Sequence, residues 1–209
     1  MTRTGTGTGA RRSATRQRLY EAAVALIAEQ GFSATTVDQI AERAGVAKGT
    51  VYYNFGSKTE LFGELLRHGV RPLTTSLEHA ARAAFARGGG AADALDDVAR
   101  AGLVFIAAHP DLARLLVAEL WRPNRAWHAT LVELRGQVAE VVEEVLGQGM
   151  KTGEFDAGLD VGLISGALIG TVVAGALDWQ TFHPGRPLDE VHASLSLLLR
   201  GRLAGGDGP

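Results

Sequence analysis

The chain has 209 residues, 46% of them hydrophobic, and a formal net charge of -2. That is enough apolar material for one large packed domain or two small ones, and the absence of cysteine excludes disulfides and thiolate metal sites. The opening stretch MTRTGTGTGARRSATR has no apolar core and does not read as a secretory signal, so a soluble cytoplasmic protein is expected.

The charge is unevenly placed. Residues 1–60 carry eight basic and five acidic side chains, a balance of +3, whereas the remainder carries thirteen against eighteen, a balance of -5. Five arginines lie within the first twenty residues with no acidic companion. A basic end on an acidic body turns that end toward phosphates and holds the rest away from them.

Residues 1–12 alternate threonine and glycine and predict a disordered basic arm. Ser13 or Thr15 then caps a first helix to about Gln30, with Leu19, Ala23, Leu26 and Ile27 on its apolar face, Gly31 as its stop and Phe32 folding back. Thr36 is the predicted N-cap of a short helix whose apolar positions Val37, Ile40, Ala41 and Ala44 fall at helical spacing; Gly45 supplies the turn that ends it. In the next short helix Val46, Val51 and Phe55 point back at the first, leaving Lys48, Gly49, Thr50, Tyr52, Tyr53 and Asn54 outward. Two helices joined by a glycine turn, the second presenting donors and phenols, form the geometry of a major-groove reader. A single such unit reads few base pairs, so a two-fold dimer on a palindrome is expected.

Ser57, with Glu60 as its capping-box partner, opens a long helix that carries Leu61, Leu65, Leu66 and Val70. Pro72 predicts a kink or an end there, and helical periodicity resumes from Leu73 to Phe85. Gly88, Gly89 and Gly90 make the clearest internal break. Helices are predicted over about 92–108, 111–122, 124–148 (ending at Gly149 and Gly153), 160–182 and 187–203, with a mobile GGDGP tail. Glu119 shares a helix face with Leu112, Leu115 and Leu116, which leaves its carboxylate two expected partners, a cationic ligand or, the favoured one, Arg122 three residues on. Nothing alternates as strands do, so the fold class is all-α. Residues 161–177, VGLISGALIGTVVAGAL, carry no charge, and Gly162, Gly166 and Gly170 recur every fourth position. The run is shorter than the usual span of about 20 residues and is bounded by Asp160 and Asp178, which predicts a buried helix of a soluble protein and no membrane partner.

The segment AGVAKGTVYYNFGSKTELF, inside a match from about Ala14 to Phe62, resembles the DNA-binding domain of the TetR family of bacterial transcriptional regulators. The resemblance implies an N-terminal three-helix DNA-binding domain with a helix-turn-helix over residues 13–57, and a C-terminal helical ligand-binding and dimerisation domain over 58–204. It implies operator contacts by Thr36, Lys48, Gly49, Thr50, Tyr52, Tyr53, Asn54 and Lys58, with asparagine at 54 where the family pattern often has histidine. It implies a ligand cavity in the middle helices, for which Phe105, Leu116, Leu120, Trp121, Trp127 and Leu131 are the large apolar candidates. It also implies dimerisation through the last two helices, with Gly162, Gly166, Gly170, Leu195 and Leu199 as candidates. The expected function is a transcriptional regulator, a repressor that binds a palindromic double-stranded operator as a homodimer and is released by an unidentified small-molecule inducer, with neither cofactor nor metal.

An enzyme needs convergent titratable groups; the six histidines are scattered, none forms a metal-spaced pair, and neither a Gly-x-Ser-x-Gly elbow nor a phosphate loop occurs. The alternative is a helical protein-binding adaptor that has lost DNA binding, against which stands the intact set Lys48, Tyr52, Tyr53 and Lys58.

Overall fold

The computed structural model describes residues 6–31, 34–123 and 126–203. Phe32, Asn124 as the expected start of a helix, and the 204–209 tail lie outside the described residues. Among the described residues there are nine helices and no strand: α1 (Thr6–Gln30), α2 (Val37–Arg43), α3 (Lys48–Phe55), α4 (Lys58–Ala86), α5 (Ala91–Ala108), α6 (Pro110–Leu120), α7 (His128–Thr152), α8 (Val161–Phe182) and α9 (Leu188–Leu203). The all-α expectation holds. Helix α1 begins at Thr6, ahead of the predicted cap, and so takes in backbone that the threonine–glycine alternation assigned to an arm.

The chain packs as two compact units. The first comprises residues 1–69 and 111–131, the second residues 70–110 and 132–209. In the first unit α1 packs on α2 and α2 on α3. Leu19, Ala23 and Ile27 of α1, Ile40 and Ala41 of α2, and Val51 and Phe55 of α3 are all buried, as the helical spacing required. Phe62 and Trp127 meet edge to face with centroids 4.6 Å apart, and the backbone of Gly69 lies so close to Leu112 that a Cβ there would stand 2.7 Å from its methyl carbon. Glu119 is buried, its carboxylate 3.2 Å from the Arg122 guanidinium, the partner its spacing predicted.

The core of the second unit is built from Leu77, Ala81 and Ala84 of α4, Leu95 and Val98 of α5, and Val141, Val142, Val145 and Leu146 of α7. Helix α5 packs on α8 and α9, which also pack on each other. Its N-terminus is capped from a distance: the Glu154 carboxylate accepts the amide hydrogens of Ala91 at 2.6 Å and Ala92 at 2.8 Å. A carboxylate at that end satisfies two orphan donors and the positive end of the helix dipole together. Ion pairs Arg100–Asp189 and Arg200–Asp93, at 2.8 and 2.9 Å, fasten α9 along α5.

Three expectations narrow or change. Of the two outcomes expected at Pro72, an end of the helix does not occur: α4 continues through it for 29 residues, because a proline removes a single hydrogen bond and the flanking apolar turns stay packed. Gly149 does not end α7, which continues to Thr152 and stops at Gly153, where φ is +78°. Helix α8 is not buried within the chain: only 11% of its most apolar window is covered, and by length and composition it is long and apolar enough to cross a membrane. Its small residues leave little side chain to bury against its neighbours α5 and α9.

Gly149 has a packing role instead. A Cβ there would overlap the Phe155 ring and stand 2.8 Å from Ala91 Cβ. In an open helix interior, alanine for glycine gains about 1 kcal/mol. Gly149→Ala is expected to reverse that sign and cost about 1–3 kcal/mol through overpacking, read as a lower urea midpoint at unchanged slope. A higher midpoint would show that the Phe155 ring yields instead.

Candidate nucleic-acid interface

Helix α2 is held at its start by a reciprocal cap. The Gln39 amide donates to Thr36 Oγ1 at 3.2 Å, and the Thr36 amide donates to Gln39 Oε1 at 2.8 Å. At its other end Gly45 adopts φ +65°, a left-handed conformation that a side chain disfavours, and the Val46 amide returns to the Ala41 carbonyl. The turn therefore sets where α3 begins. Val51 and Phe55, four residues apart, bury one face of α3. The Phe55 ring lies 5.6 Å from the Tyr20 ring and under the Arg16 guanidinium at 4.9 Å. The opposite face is left to solvent.

That face carries most of the residues expected there. Lys48 and Gly49 are exposed at the first turn, and no atom lies within 4 Å of where a Gly49 Cβ would be, so the backbone is open to close approach. Tyr53 is 78% exposed and Tyr52 46%. Thr50 is half-buried. Asn54 differs from expectation: half-buried, it turns back along its own helix, Nδ2 donating to the Thr50 carbonyl at 2.7 Å while Oδ1 is buried without a hydrogen-bond partner. Its short amide reaches the i-4 carbonyl more readily than solvent. Thr36 is exposed but occupied as the α2 cap. Lys58, half-buried at the start of α4, has its ammonium held below the ordinary lysine range by burial. The Ser57 hydroxyl accepts the Glu60 amide hydrogen at 3.1 Å and caps that helix as predicted.

Charge pairing was not legible in advance. Lys48 Nζ lies 2.8 and 2.9 Å from the two carboxylate oxygens of Asp38 in the first turn of α2. Arg43 pairs with Glu29 at 2.8 Å, and Arg16 with Glu64 at 3.1 Å. Hydrogen bonding to Asp38 raises the Lys48 pKa above its usual value, and hydrogen bonding to Arg43 lowers that of Glu29. The only sequence signal for the first pair was that each residue sits in the first turn of its own predicted helix.

The second unit holds an apolar cavity. Leu73 and Leu77 of α4, Leu95, Val98, Ala99, Gly102 and Ile106 of α5, and aliphatic residues of α7 and α8 line it, and Leu199 of α9 joins them. None of the six expected ligand residues is among its walls. Phe105 is buried but meets His109 at 4.6 Å; Trp121 is 80% exposed; Leu116 and Leu120 are half-buried; Trp127 and Leu131 are buried in the first unit. Large side chains fill space, whereas alanine, glycine and valine leave it, so bulk does not point to this cavity. Of the expected dimer residues, Gly162 and Gly170 are exposed and Gly166 is half-buried near Arg135. Leu195 packs on Gly175 and Leu199 is buried, so both serve packing within the chain; Leu197 and Leu198 of α9 are exposed.

Residues 19–65 match the family model described as bacterial regulatory proteins, tetR family. The chain is 26% identical over 162 residues, 78% of its length and 81% of the relative's, to the fatty acid metabolism regulator protein of Bacillus subtilis. It is 43% identical over 72 residues, 31% of its length and 33% of the relative's, to the probable acrEF/envCD operon repressor of Escherichia coli. The crystal structure of the transcriptional regulator FadR from Bacillus subtilis in complex with stearoyl-CoA superposes with a TM-score of 0.77 at 25% identity, covering 92% of this chain and 99% of that one.

The Thr36 cap can be checked by itself. Thr36→Ala is expected to lose about 1 kcal/mol of stability, seen as a lower thermal midpoint, while Thr36→Ser retains most of it. Equal midpoints for all three proteins would show that the cap does not hold α2.

Proposed function

We propose that this chain, a transcriptional regulator belonging to the TetR family of bacterial regulatory proteins, is a cytoplasmic repressor that binds a palindromic operator as a homodimer and leaves it when an apolar small molecule enters its helical body. The observation that carries the reading is the two-sided α3: Val51 and Phe55 bury one face while Lys48, Gly49, Tyr52 and Tyr53 are exposed on the other. In this reading residues 13–57 do the DNA binding and residues 58–204 the ligand binding and dimerisation. Thr50 contacts a base edge or a thymine methyl, while Lys48, Lys58 and the two phenols hold phosphates, as most protein–DNA contacts do. The adaptor alternative would leave this face without a partner of matching chemistry.

The apolar cavity supports an inducer with an aliphatic body, since its walls offer no polar side chain to orient a head group. The Bacillus subtilis structure carries stearoyl-CoA, a ligand of that character. Such a ligand shifts the equilibrium only if it prefers the form whose reading heads are misplaced for the operator. Dimerisation is supported by the exposed apolar surface of α8 and α9: Leu163 is 73% exposed, Phe182 70% and Leu197 77%. Large apolar side chains left in solvent on two neighbouring helices favour an interaction surface, and a two-fold pairing would place two identical reading heads on one duplex.

Two measurements test the reading. Fluorescence anisotropy on duplex DNA from the protein's own promoter region is expected to show affinity falling steeply with salt, and Lys48→Gln is expected to flatten the slope by about 0.9. Affinity that does not change between low and moderate salt sinks phosphate-led binding. Equilibrium sedimentation at micromolar concentration is expected to give a dimer, and Leu163→Glu with Phe182→Glu a monomer; a monomeric parent protein overturns the dimer.

A further inference from the structure

The first turn of α3 is an uneasy place for Lys48. A cation at a helix N-terminus faces the positive end of the dipole, and Ala47, the residue ahead of it, provides no side-chain cap. The charge is answered from the neighbouring helix. Both carboxylate oxygens of Asp38 lie within 2.9 Å of Lys48 Nζ, and Asp38 stands in the first turn of α2, where a negative charge is favoured by that helix's own dipole. Both side chains are more than half exposed, at 56% for Lys48 and 64% for Asp38. Neither is locked in place by packing, and a carboxylate offers an ammonium the same charge-assisted geometry as two phosphate oxygens.

We propose that Asp38 is a built-in competitor for Lys48, a stand-in for the DNA phosphate that occupies the lysine in the free protein and has to be displaced when α3 enters a duplex. This rests on the reading of α3 as the DNA face. While paired, Lys48 adds little to the field that draws in nucleic acid; once transferred to a phosphate it releases a counterion and contributes fully. The same pairing is repeated by Arg43 with Glu29 and Arg16 with Glu64. Lys48 differs from them in standing at the start of the recognition helix, where its release coincides with seating of that helix. Asp38 thus restrains binding to arbitrary DNA, whose attraction is electrostatic alone.

A double-mutant cycle on the full-length protein tests this, with binding measured on the promoter duplex and on a scrambled duplex of equal length. Both positions are surface-exposed, so the fold is expected to survive substitution, and the thermal midpoint of each variant checks it. Asp38→Asn is expected to raise affinity for both duplexes by about two- to five-fold at low salt, the scale of an exposed ion pair. In the Lys48→Gln background the gain from Asp38→Asn is expected to fall to less than half of that, since the lysine it would free is gone. An equal gain in both backgrounds overturns the proposal, because it would mean simple repulsion between Asp38 and DNA. No gain, or a loss, overturns it as well, making Asp38 a positioning residue or a bystander. If Lys48→Gln binds both duplexes as tightly as the parent, the failure lies with α3 as the DNA face and not with Asp38.

Discussion

The proposed reading surface rests on α3, a helix of eight residues that has no stability of its own. Isolated helices shorter than about 12 residues are marginal in water, so α3 exists because Val51 and Phe55 are buried beneath it. Phe55 in turn is gripped from two sides, by the Tyr20 ring and by the Arg16 guanidinium. Since the two anchors are four residues apart, they fix the rotation of α3 about its own axis as well as its existence. The outward presentation of Lys48, Gly49, Tyr52 and Tyr53 follows from that rotation.

Precision at the proposed recognition surface is therefore borrowed from the interior of the first unit. The reciprocal cap of Thr36 and Gln39 sets where α2 starts, the left-handed Gly45 sets where the chain turns, and the anchors set how α3 lies. Local propensity, turn chemistry and apolar pattern agree at every step of this segment, which is the condition for a sequence to specify one structure.

That agreement explains what was legible from the sequence. Helix spacing placed α2 and α3, their glycine turn and their buried residues, because each is a local property. Asn54 escaped prediction because its side chain chose a carbonyl of its own helix over solvent, a contest between two near-equal partners. The Asp38–Lys48 pair escaped because it joins two helices across a turn. The apolar cavity of the second unit was not legible because its walls are made by several segments distant in sequence, and because absent volume leaves no residue to point at. The buried reading of α8 failed within one chain because hydrophobicity states a need for cover without naming what supplies it.

The first unit is not a contiguous stretch of sequence. Residues 1–69 are completed by residues 111–131, which bring Trp127 against Phe62 and Leu112 against Gly69, and the intervening segment belongs to the other unit. A reading head cut out as one cassette would carry a raw apolar wound where that patch had been. Shuffling of such heads between bodies, by an engineer or by recombination, therefore has to exchange two separate pieces of gene together, or choose a body whose own patch fits the new head.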